Sequence, residues 1–309
     1  MPGTDLARIT IENLTPTTPS GQYPAKAVVG DRVTVTADIY ADGHDRLAAR
    51  LRWRPARGRN WRIAPLREVW QDHWEATIQP DVVGAYEIVV EAWRDRFATW
   101  RHDVEVKVAA GDDVTVELEE GARLLEARAA QLKGKLQRRR VLDAAEGLRR
   151  TECSLHVRLN AGLDDQVALL VDPLPDADLT ARTLHLWVDR PRAGFGAWYE
   201  LFPRSEGGFT GAAKRLAAVA DMGFDVVYLP PIHPIGTTAR KGPNNTLTAG
   251  PDDPGSPWAI GSPEGGHTAI HPELGTIEDF RRFCAEAADR GLEVALDYAL
   301  QCSPDHPWV

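Results

Sequence analysis

Short runs of alternating apolar and polar residues dominate the first third of the chain. In the clearest run, the odd-numbered residues from Val33 to Ile39 are apolar and the even-numbered residues are polar. This period of two is typical of a strand with one face on a core and the other in water. The strand-like runs are 7–11, 32–40, 48–54 and 86–93. They predict an antiparallel β-sandwich over residues 1–112, completed by a strand within the closing segment 181–193.

Between residues 113 and 180 the pattern is helical. Leu125, Ala129, Leu132 and Leu136 recur at three- and four-residue steps, which gives one apolar face. The predicted helices lie around 119–132, 141–150 and 164–170. We therefore predict a helical insertion over 113–180. Leucine periodicity alone leaves open whether it is only an insertion or also a dimer contact, and we expect the dimer contact.

After about residue 194, apolar strands alternate with amphipathic helices. The predicted strands, each expected to be buried on both faces, are 197–202, 226–229 and 292–297. Thr210 and Thr276 are candidate N-caps of the helices between them. Repeated strand–helix–strand units predict a parallel sheet with right-handed crossovers. Polar residues follow each strand, and folds of this kind place their active sites at the carboxyl ends of the strands.

Composition and charge narrow the classes of function. The chain has 36 basic and 45 acidic residues, and this acidic balance argues against a nucleic-acid binder. No stretch approaches the roughly 18–20 apolar residues that a membrane span needs, and the first residues show no signal pattern. No membrane partner is therefore expected. Cys153, Cys284 and Cys302 lie far apart, and reduced thiols in a cytoplasm are the expectation. The spacing of His233, His267 and His306 is unlike that of metal ligands, so neither a metal nor another cofactor is expected.

Several motifs in the chain resemble those of one known family. They are Tyr23-Pro24-Ala25-Lys26 and the segments 196–205, 240–245, 255–261 and 301–308. In combination they resemble the bacterial α-1,4-glucan:maltose-1-phosphate maltosyltransferases of the α-amylase superfamily, over the whole chain. The superfamily usually carries Asn-His where this chain has Gln301-Cys302, and that departure argues against an ordinary starch hydrolase.

The resemblance implies both a fold and a reaction. Residues 194–309 are expected to form about the first three βα units of a catalytic TIM (β/α)8 barrel. The implied reaction is a retaining transfer of maltosyl from α-maltose 1-phosphate to the non-reducing end of an α-1,4-glucan such as glycogen, with release of phosphate. A homodimer is the expected assembly. In the family the nucleophilic aspartate and the acidic glutamate follow the fourth and fifth barrel strands, so no catalytic carboxylate pair and no activity are expected of this chain alone.

The resemblance also assigns candidate site residues. Those expected to bind the sugar are Lys241, Asn245, Gln301, Ser256 and Trp258. Asp297 is expected to support the floor of the active site. Polar side chains around a stacking face in a concave site are the usual means of binding sugars. Each residue also has a structural interpretation, such as a solvent-exposed loop lysine for Lys241.

Two other functions compete with the transferase at this point. One is a non-catalytic module that binds glucan or dimerises, because the first third of the chain is rich in tryptophan. The tryptophans concerned, which suit a core as well as a sugar-stacking surface, are Trp61, Trp70, Trp74, Trp93 and Trp100. The other is an amylase-type glycoside hydrolase, against which the motifs Gln301-Cys302 and 241–245 weigh.

Overall fold

The computed structural model describes residues 8–176 and 178–309, so Ala7 of the first predicted strand lies outside the described residues. The chain divides into two compact units, Met1–Pro191 and Arg192–Val309, which we call the N-terminal and C-terminal units. Every helix in the described ranges is too short or too polar to cross a membrane.

The N-terminal unit contains a mixed, largely antiparallel sheet. Its strands are β1 (Ile9–Thr15), β2 (Ala25–Val28), β3 (Val33–Ala41), β4 (Leu47–Pro55), β5 (Arg62–Trp70), β6 (His73–Ile78), β7 (Gly84–Arg94) and β8 (Thr180–Asp189). The strand order is β1-β3-β6-β5-β4-β7-β8-β2, and only the β2–β8 pair among these is parallel. The β-rich N-terminal domain is confirmed. The two facing sheets of a sandwich stay a prediction, because hydrogen bonding runs continuously through β5, which pairs with both β4 and β6.

Alternation along the strands decides which side chains form the core of this sheet. In β3, Val35, Ala37 and Ile39 are buried, as the period of two predicts. They pack with inward residues of the other strands, including Leu51 and Ile88. The tryptophans divide: Trp74, Trp93 and Trp100 are buried, whereas Trp70 is 69% exposed.

Five helices follow β7 and precede β8. They are α1 (Arg96–Ala110), α2 (Thr115–Gln131), α3 (Lys135–Arg149), α4 (Leu155–Gly162) and α5 (Asp165–Val171). The helical region therefore begins at residue 96, earlier than the predicted start at 113. The predicted apolar stripe is wrong at Leu136, which is 88% exposed, because the chain leaves α2 before Gly134 and starts a new helix with a different face. A dimer contact of these helices stays a prediction.

The C-terminal unit is built on a parallel sheet of three short strands in the described residues. The strands are β9 (Trp198–Glu200), β10 (Val226–Leu229) and β11 (Glu293–Leu296), and the helices are α6 (Pro191–Gly194, at the boundary with the N-terminal unit), α7 (Phe209–Ala213), α8 (Leu216–Asp221) and α9 (Ile277–Asp289). Their order, β11-β10-β9, is the parallel arrangement that the sequence predicts. The partial TIM barrel stays a prediction.

Burial and capping in this unit differ from the predictions in three places. β10 is buried, whereas β9 is not buried on both faces, since Trp198 is 59% exposed at the edge of the described sheet. β11 at the other edge is also only half-buried, and its Leu296 is exposed. The N-cap of α7 is Gly208 and not Thr210, which lies inside the helix. Thr276 does cap α9, in a capping box with Asp279. The apolar face of α9, including Phe283, packs on the core that also contains Val227.

Candidate functional site

The carboxyl ends of β10 and β11 lead into segments that are joined to each other. The connection after β10 runs from residue 230 to α9, far longer than the usual ~2–6 residues. It folds back on itself where the Gly236 amide donates to the Ala259 carbonyl at 2.8 Å. It then meets the segment after β11 where the Ser303 amide donates to the Ile260 carbonyl at 2.7 Å. Polar residues from distant parts of the chain therefore share one region.

A cavity of about 230 Å³ opens between these segments, and we call it the loop cavity. Four of the five predicted sugar-binding residues line it: Lys241, Asn245, Ser256 and Gln301. Cys302, which with Gln301 replaces the Asn-His of the superfamily, also lines this cavity. The fifth predicted residue, Trp258, is not among the lining residues. The structure thus brings four candidates together, and their role in binding stays a prediction.

The four polar side chains are available for a ligand. None of them makes a side-chain hydrogen bond or ion pair to another residue in the ranges 8–176 and 178–309. Lys241 and Ser256 are half-buried, whereas Asn245 and Gln301 are exposed. Together they offer an ammonium, two amides and a hydroxyl, which can donate to and accept from the hydroxyl groups of a sugar.

Arg240 fixes the backbone immediately before Lys241. Its guanidinium donates to the carbonyls of Gly236 at 3.0 Å, Ile235 at 3.2 Å and Asp253 at 3.2 Å. A 3₁₀ turn over Pro243–Asn245 follows, in which Asn244 and Asn245 have φ of 53° and 61°. Asparagine adopts this left-handed region more readily than most residues. The Lys241–Asn245 segment is therefore a defined turn held from one side by an arginine.

Asp305 holds the backbone that leads into this turn. Its Oδ2 accepts from the Thr237 amide at 2.6 Å, the Thr237 hydroxyl at 2.8 Å and the Thr238 amide at 3.2 Å. Burial alone raises the pKa of Asp305, but the nearby Ser303 hydroxyl and the hydrogen bonds from Thr237 and Thr238 outweigh it and hold this pKa well below the usual range. Gly236 packs so closely against Ser303 and Asp305 that a Cβ there would collide with both.

Asp297 and Trp258 form a separate hydrogen-bonded group at the end of β11. The Oδ2 atom of Asp297 accepts from the Trp258 indole N–H at 2.6 Å and from the Tyr228 hydroxyl at 2.7 Å. The bond to Asp297, with partial burial, raises the pKa of Tyr228 to about 12, so the phenol remains a donor at neutral pH. Trp258 also makes an edge contact with Phe202, with ring centroids 6.4 Å apart. This arrangement suits the predicted supporting role of Asp297.

Three histidines that are far apart in sequence lie together beside these loops. Ring nitrogens of His267 and His306 are 2.9 Å apart, and His267 stacks on Trp308 with centroids at 5.1 Å and planes 7° apart. The ring centroid of His233 is 5.3 Å from that of His267. In the described ranges, no group of three or more His, Cys, Asp or Glu side chains is arranged to hold a metal ion. Contacts among these histidines join the connection after β10 to the segment after β11.

Sequence reasoning missed the two residues that shape the loop cavity. Arg240 stands next to Lys241, and Asp305 lies in the 301–308 motif, so both were within segments already singled out. Their partners are mainly backbone groups, and those of Asp305 are 67 and 68 residues away. A residue-type pattern carries no signal for such contacts.

Comparison with known proteins decides the family. A family model described as "Alpha-1,4-glucan:maltose-1-phosphate maltosyltransferase, domain N/S" matches residues 7–190. The chain belongs to the α-1,4-glucan:maltose-1-phosphate maltosyltransferase family. A maltosyltransferase of this name from Streptomyces coelicolor is 50% identical over 99% of this chain and 47% of its own length. The maltosyltransferases from Rhodospirillum rubrum and Mycolicibacterium smegmatis are each 45% identical over 98% of this chain. The match covers 47% and 49% of their own lengths.

The match to these maltosyltransferases is therefore complete for this chain but partial for the relatives. The chain spans about half the length of the curated relatives that it matches. An α-amylase structure from Lactobacillus plantarum is 34% identical over 36% of this chain and 24% of that one, with a TM-score of 0.30, too low to establish a shared fold.

Proposed function

We propose that this chain carries the donor-sugar side of a maltosyltransferase that moves maltosyl from α-maltose 1-phosphate to the non-reducing end of an α-1,4-glucan. The observation that carries the proposal is the convergence of Lys241, Asn245, Ser256 and Gln301 on the loop cavity without protein partners. The names of the 45–50% identical relatives supply the substrates. Released phosphate, a glycogen-like acceptor and a homodimer built through α1–α5 belong to the same proposal.

The reacting carboxylates are proposed to lie outside the residues of this chain. Retaining transfer needs a nucleophile and an acid roughly 5–5.5 Å apart, beside the anomeric carbon. Asp297 is proposed to support the site, because its Oδ2 accepts from the Tyr228 hydroxyl and the Trp258 indole N–H. In this view the C-terminal unit corresponds to the first three βα units of the barrel. Its loops hold the maltosyl unit while another part of the enzyme performs the displacement.

Replacing Lys241 with alanine is expected to weaken maltose binding to the 309-residue chain about tenfold, since a charged donor to a sugar hydroxyl is lost. Gln301→Ala is expected to act in the same direction. Titration of maltose followed by heteronuclear NMR measures both affinities. Lys214→Ala is the matched control, because Lys214 is an exposed lysine of the same unit outside the loop cavity. Equal affinities for Lys241→Ala and Lys214→Ala would contradict the proposed site.

The chain is also expected to release no phosphate from α-maltose 1-phosphate in the presence of glycogen. The reason is the missing nucleophile and acid, and not a failure to bind, so maltose binding serves as the internal control. A colorimetric phosphate assay, with a full-length relative as the positive control, makes the measurement. Turnover by the 309-residue chain would show that its own carboxylates perform the reaction.

A further inference from the structure

Two of the histidines beside the loop cavity, His267 and His306, form a ring-to-ring contact that the proposed function does not use. We call them the histidine pair. His267 lies in the connection after β10 and His306 in the segment after β11, so their contact joins the two segments that enclose the loop cavity. His306 is only 3% exposed, and Gly266 lies so close to its ring that a Cβ there would collide with it. The pair is therefore held in one arrangement.

Each ring nitrogen of the histidine pair has a partner, and the partners fix where the protons lie. The Trp308 amide donates to His306 Nδ1 at 3.0 Å, so a neutral His306 carries its proton on Nε2. This Nε2 is 2.9 Å from Nδ1 of His267. His267 Nε2 is 2.6 Å from the Ala299 carbonyl, which can only accept, so a neutral His267 donates from Nε2 and accepts at Nδ1. Hydrogen bonds therefore run in one direction from Trp308 through both rings to Ala299.

This run of hydrogen bonds exists only while both imidazoles are neutral. The His267 amide also lies 3.4 Å from His306 Nε2, but a neutral imidazole cannot accept at both nitrogens, so the shorter ring-to-ring bond decides the direction. A proton added to His306 enters at Nδ1 and faces the Trp308 amide. A proton added to His267 enters at Nδ1 and faces the N–H of His306. Either proton sets two N–H groups against each other and removes a hydrogen bond.

The run of hydrogen bonds ends two residues before Gln301, which lines the loop cavity. On the other side of Gln301, the Ser303 amide donates to the Ile260 carbonyl at 2.7 Å. Gln301 therefore lies between two anchors, Ala299 and Ser303, that tie its segment to the connection after β10. Its own side chain is exposed, so its place at the cavity depends on these anchors.

The groups that surround the histidine pair favour its neutral form. Those that ionise are His233 from the connection after β10 and Tyr298 and Asp305 from the segment after β11. Burial and the positive charges of His267 and His233 lower the pKa of His306, and the charge of Asp305 only partly opposes them. Because folding lowers this pKa below its unfolded value of about 6.5, the closed segment loses stability as the pH falls below that value.

We propose that His267 and His306 are positioning residues for Gln301, and that protonation of either ring in mildly acidic solution releases the segment that carries it. The loop cavity then loses a sugar contact. That the affected ligand is a maltosyl unit rests on the proposed function, whereas release of the segment does not. The device acts near neutral pH, well above the range in which Asp305 takes up its proton.

Heteronuclear NMR of the ring nitrogens and hydrogen exchange test the pair in the 309-residue chain without a ligand. At pH 7.5 both rings are expected to be neutral, with the proton on Nε2. Exchange of peptides covering 297–304, corrected for the intrinsic rate, is expected to accelerate about three- to tenfold from pH 7.5 to 5.5, since tenfold is about the most that one excluded proton supplies one unit below about 6.5. Peptides covering α9 are the internal reference. Maltose affinity is expected to fall about threefold over this range, because only the form with Gln301 in place binds the sugar.

Three variants separate positioning from packing, once circular dichroism has shown that each is folded. His267→Gln/His306→Gln keeps hydrogen-bonding amides but no titrating ring, so it is expected to bind maltose within about twofold of the native chain at pH 7.5 and to lose the pH dependence. His267→Phe keeps a ring against Trp308 but loses the donor to Ala299, and is expected to bind about threefold more weakly at both pH values. His271→Gln is the matched control, because His271 is a half-buried histidine of the same unit outside the pair, and it is expected to keep the native pH dependence.

The outcomes of these measurements distinguish this proposal from the proposed function. A native pH dependence in His267→Gln/His306→Gln, or equal exchange of 297–304 at pH 7.5 and 5.5 in the native chain, overturns the positioning role even if Lys241→Ala weakens maltose binding. If exchange of 297–304 responds to pH as expected while Lys241→Ala leaves maltose affinity unchanged, the proposed function fails and the positioning role stands.

Discussion

Replacing Arg128 with alanine is expected to lower the free energy of unfolding of the N-terminal unit by about 3–5 kcal/mol. Arg128 lies in α2 and is only 2% exposed. Its guanidinium is within 3.0 Å of Asp176 and 3.4 Å of Asp95, and it also donates to the Leu174 carbonyl. The variant leaves these acceptors buried without their cation. Urea unfolding at pH 7, followed by far-UV circular dichroism, measures the loss.

The pH dependence of this variant identifies the cause. Burial raises the pKa of Asp95, while the Ala98 amide and the charge of Arg128 lower it. Without Arg128 the folded-state pKa rises further above the unfolded value of about 3.9. An acid whose pKa is raised by folding penalises the folded state above that pKa, and protonation relieves the penalty. The destabilisation by Arg128→Ala is therefore expected to shrink as the pH falls from 7 toward 4.

Two further variants separate charge from packing. Arg128→Met keeps most of the apolar stem and is expected to lose nearly as much stability as Arg128→Ala. Arg123→Ala, on the same helix, removes only an exposed ion pair with Glu119 and is expected to cost less than about 0.5 kcal/mol. Native-like stability of Arg128→Met would show that the unpaired carboxylates are not the cause.

The spacing of apolar residues predicted those elements in which the buried residues follow the same spacing. β3 buries alternate residues, β10 is a short buried strand, and Thr276 caps α9, because each of these patterns depends on the surroundings of one element only. α1 was not predicted, because the local pattern of its residues favours a strand. Val104, Val106 and Val108 alternate like a strand, but the buried residues are Phe97, Trp100 and Val104, at helical spacing. Packing against the other helices overrides the local β-propensity of the valines.

The sequence motifs supplied the residues of the candidate site, but the sequence did not predict the contacts that bring those residues together. The motifs placed Lys241, Asn245, Ser256 and Gln301 among the sugar-binding candidates, and the structure gathers them at one cavity. What gathers them is backbone geometry: a long connection after β10, bridged through Ile260 to the segment after β11. Such bridges join main-chain groups, whose partners depend on the whole fold and not on residue type.

Replacing Asp305 with alanine is expected to loosen the loop cavity and weaken maltose binding about tenfold or more. One carboxylate oxygen accepts from two amides and a hydroxyl of Thr237 and Thr238, close to the Arg240–Lys241 turn. Charge-assisted bonds of this kind contribute about 1.5–3 kcal/mol each at most, so a loss of about 2–4 kcal/mol from the local opening free energy is expected. Hydrogen exchange of peptides covering 230–245, with maltose titration, measures both effects.

The pKa of Asp305 sets a pH test of the same contact. Because folding lowers this pKa below its unfolded value of about 3.9, the carboxylate contributes its full stability above that pH. That contribution is lost as the pH falls through 4 toward the folded-state pKa. Protection of the peptides covering 230–245 is therefore expected to fall below pH 4 in the native chain and to depend less on pH in Asp305→Ala.

Asp289→Ala provides the matched control for both measurements, because Asp289 is an exposed carboxylate of the same unit at the end of α9. It is expected to leave maltose affinity and the acid dependence of the peptides covering 230–245 unchanged. If Asp305→Ala matches Asp289→Ala in both respects, Arg240 alone holds the turn. The geometry favours the opposite result, since Arg240 bonds only carbonyls and leaves the amides of Thr237 and Thr238 to Asp305.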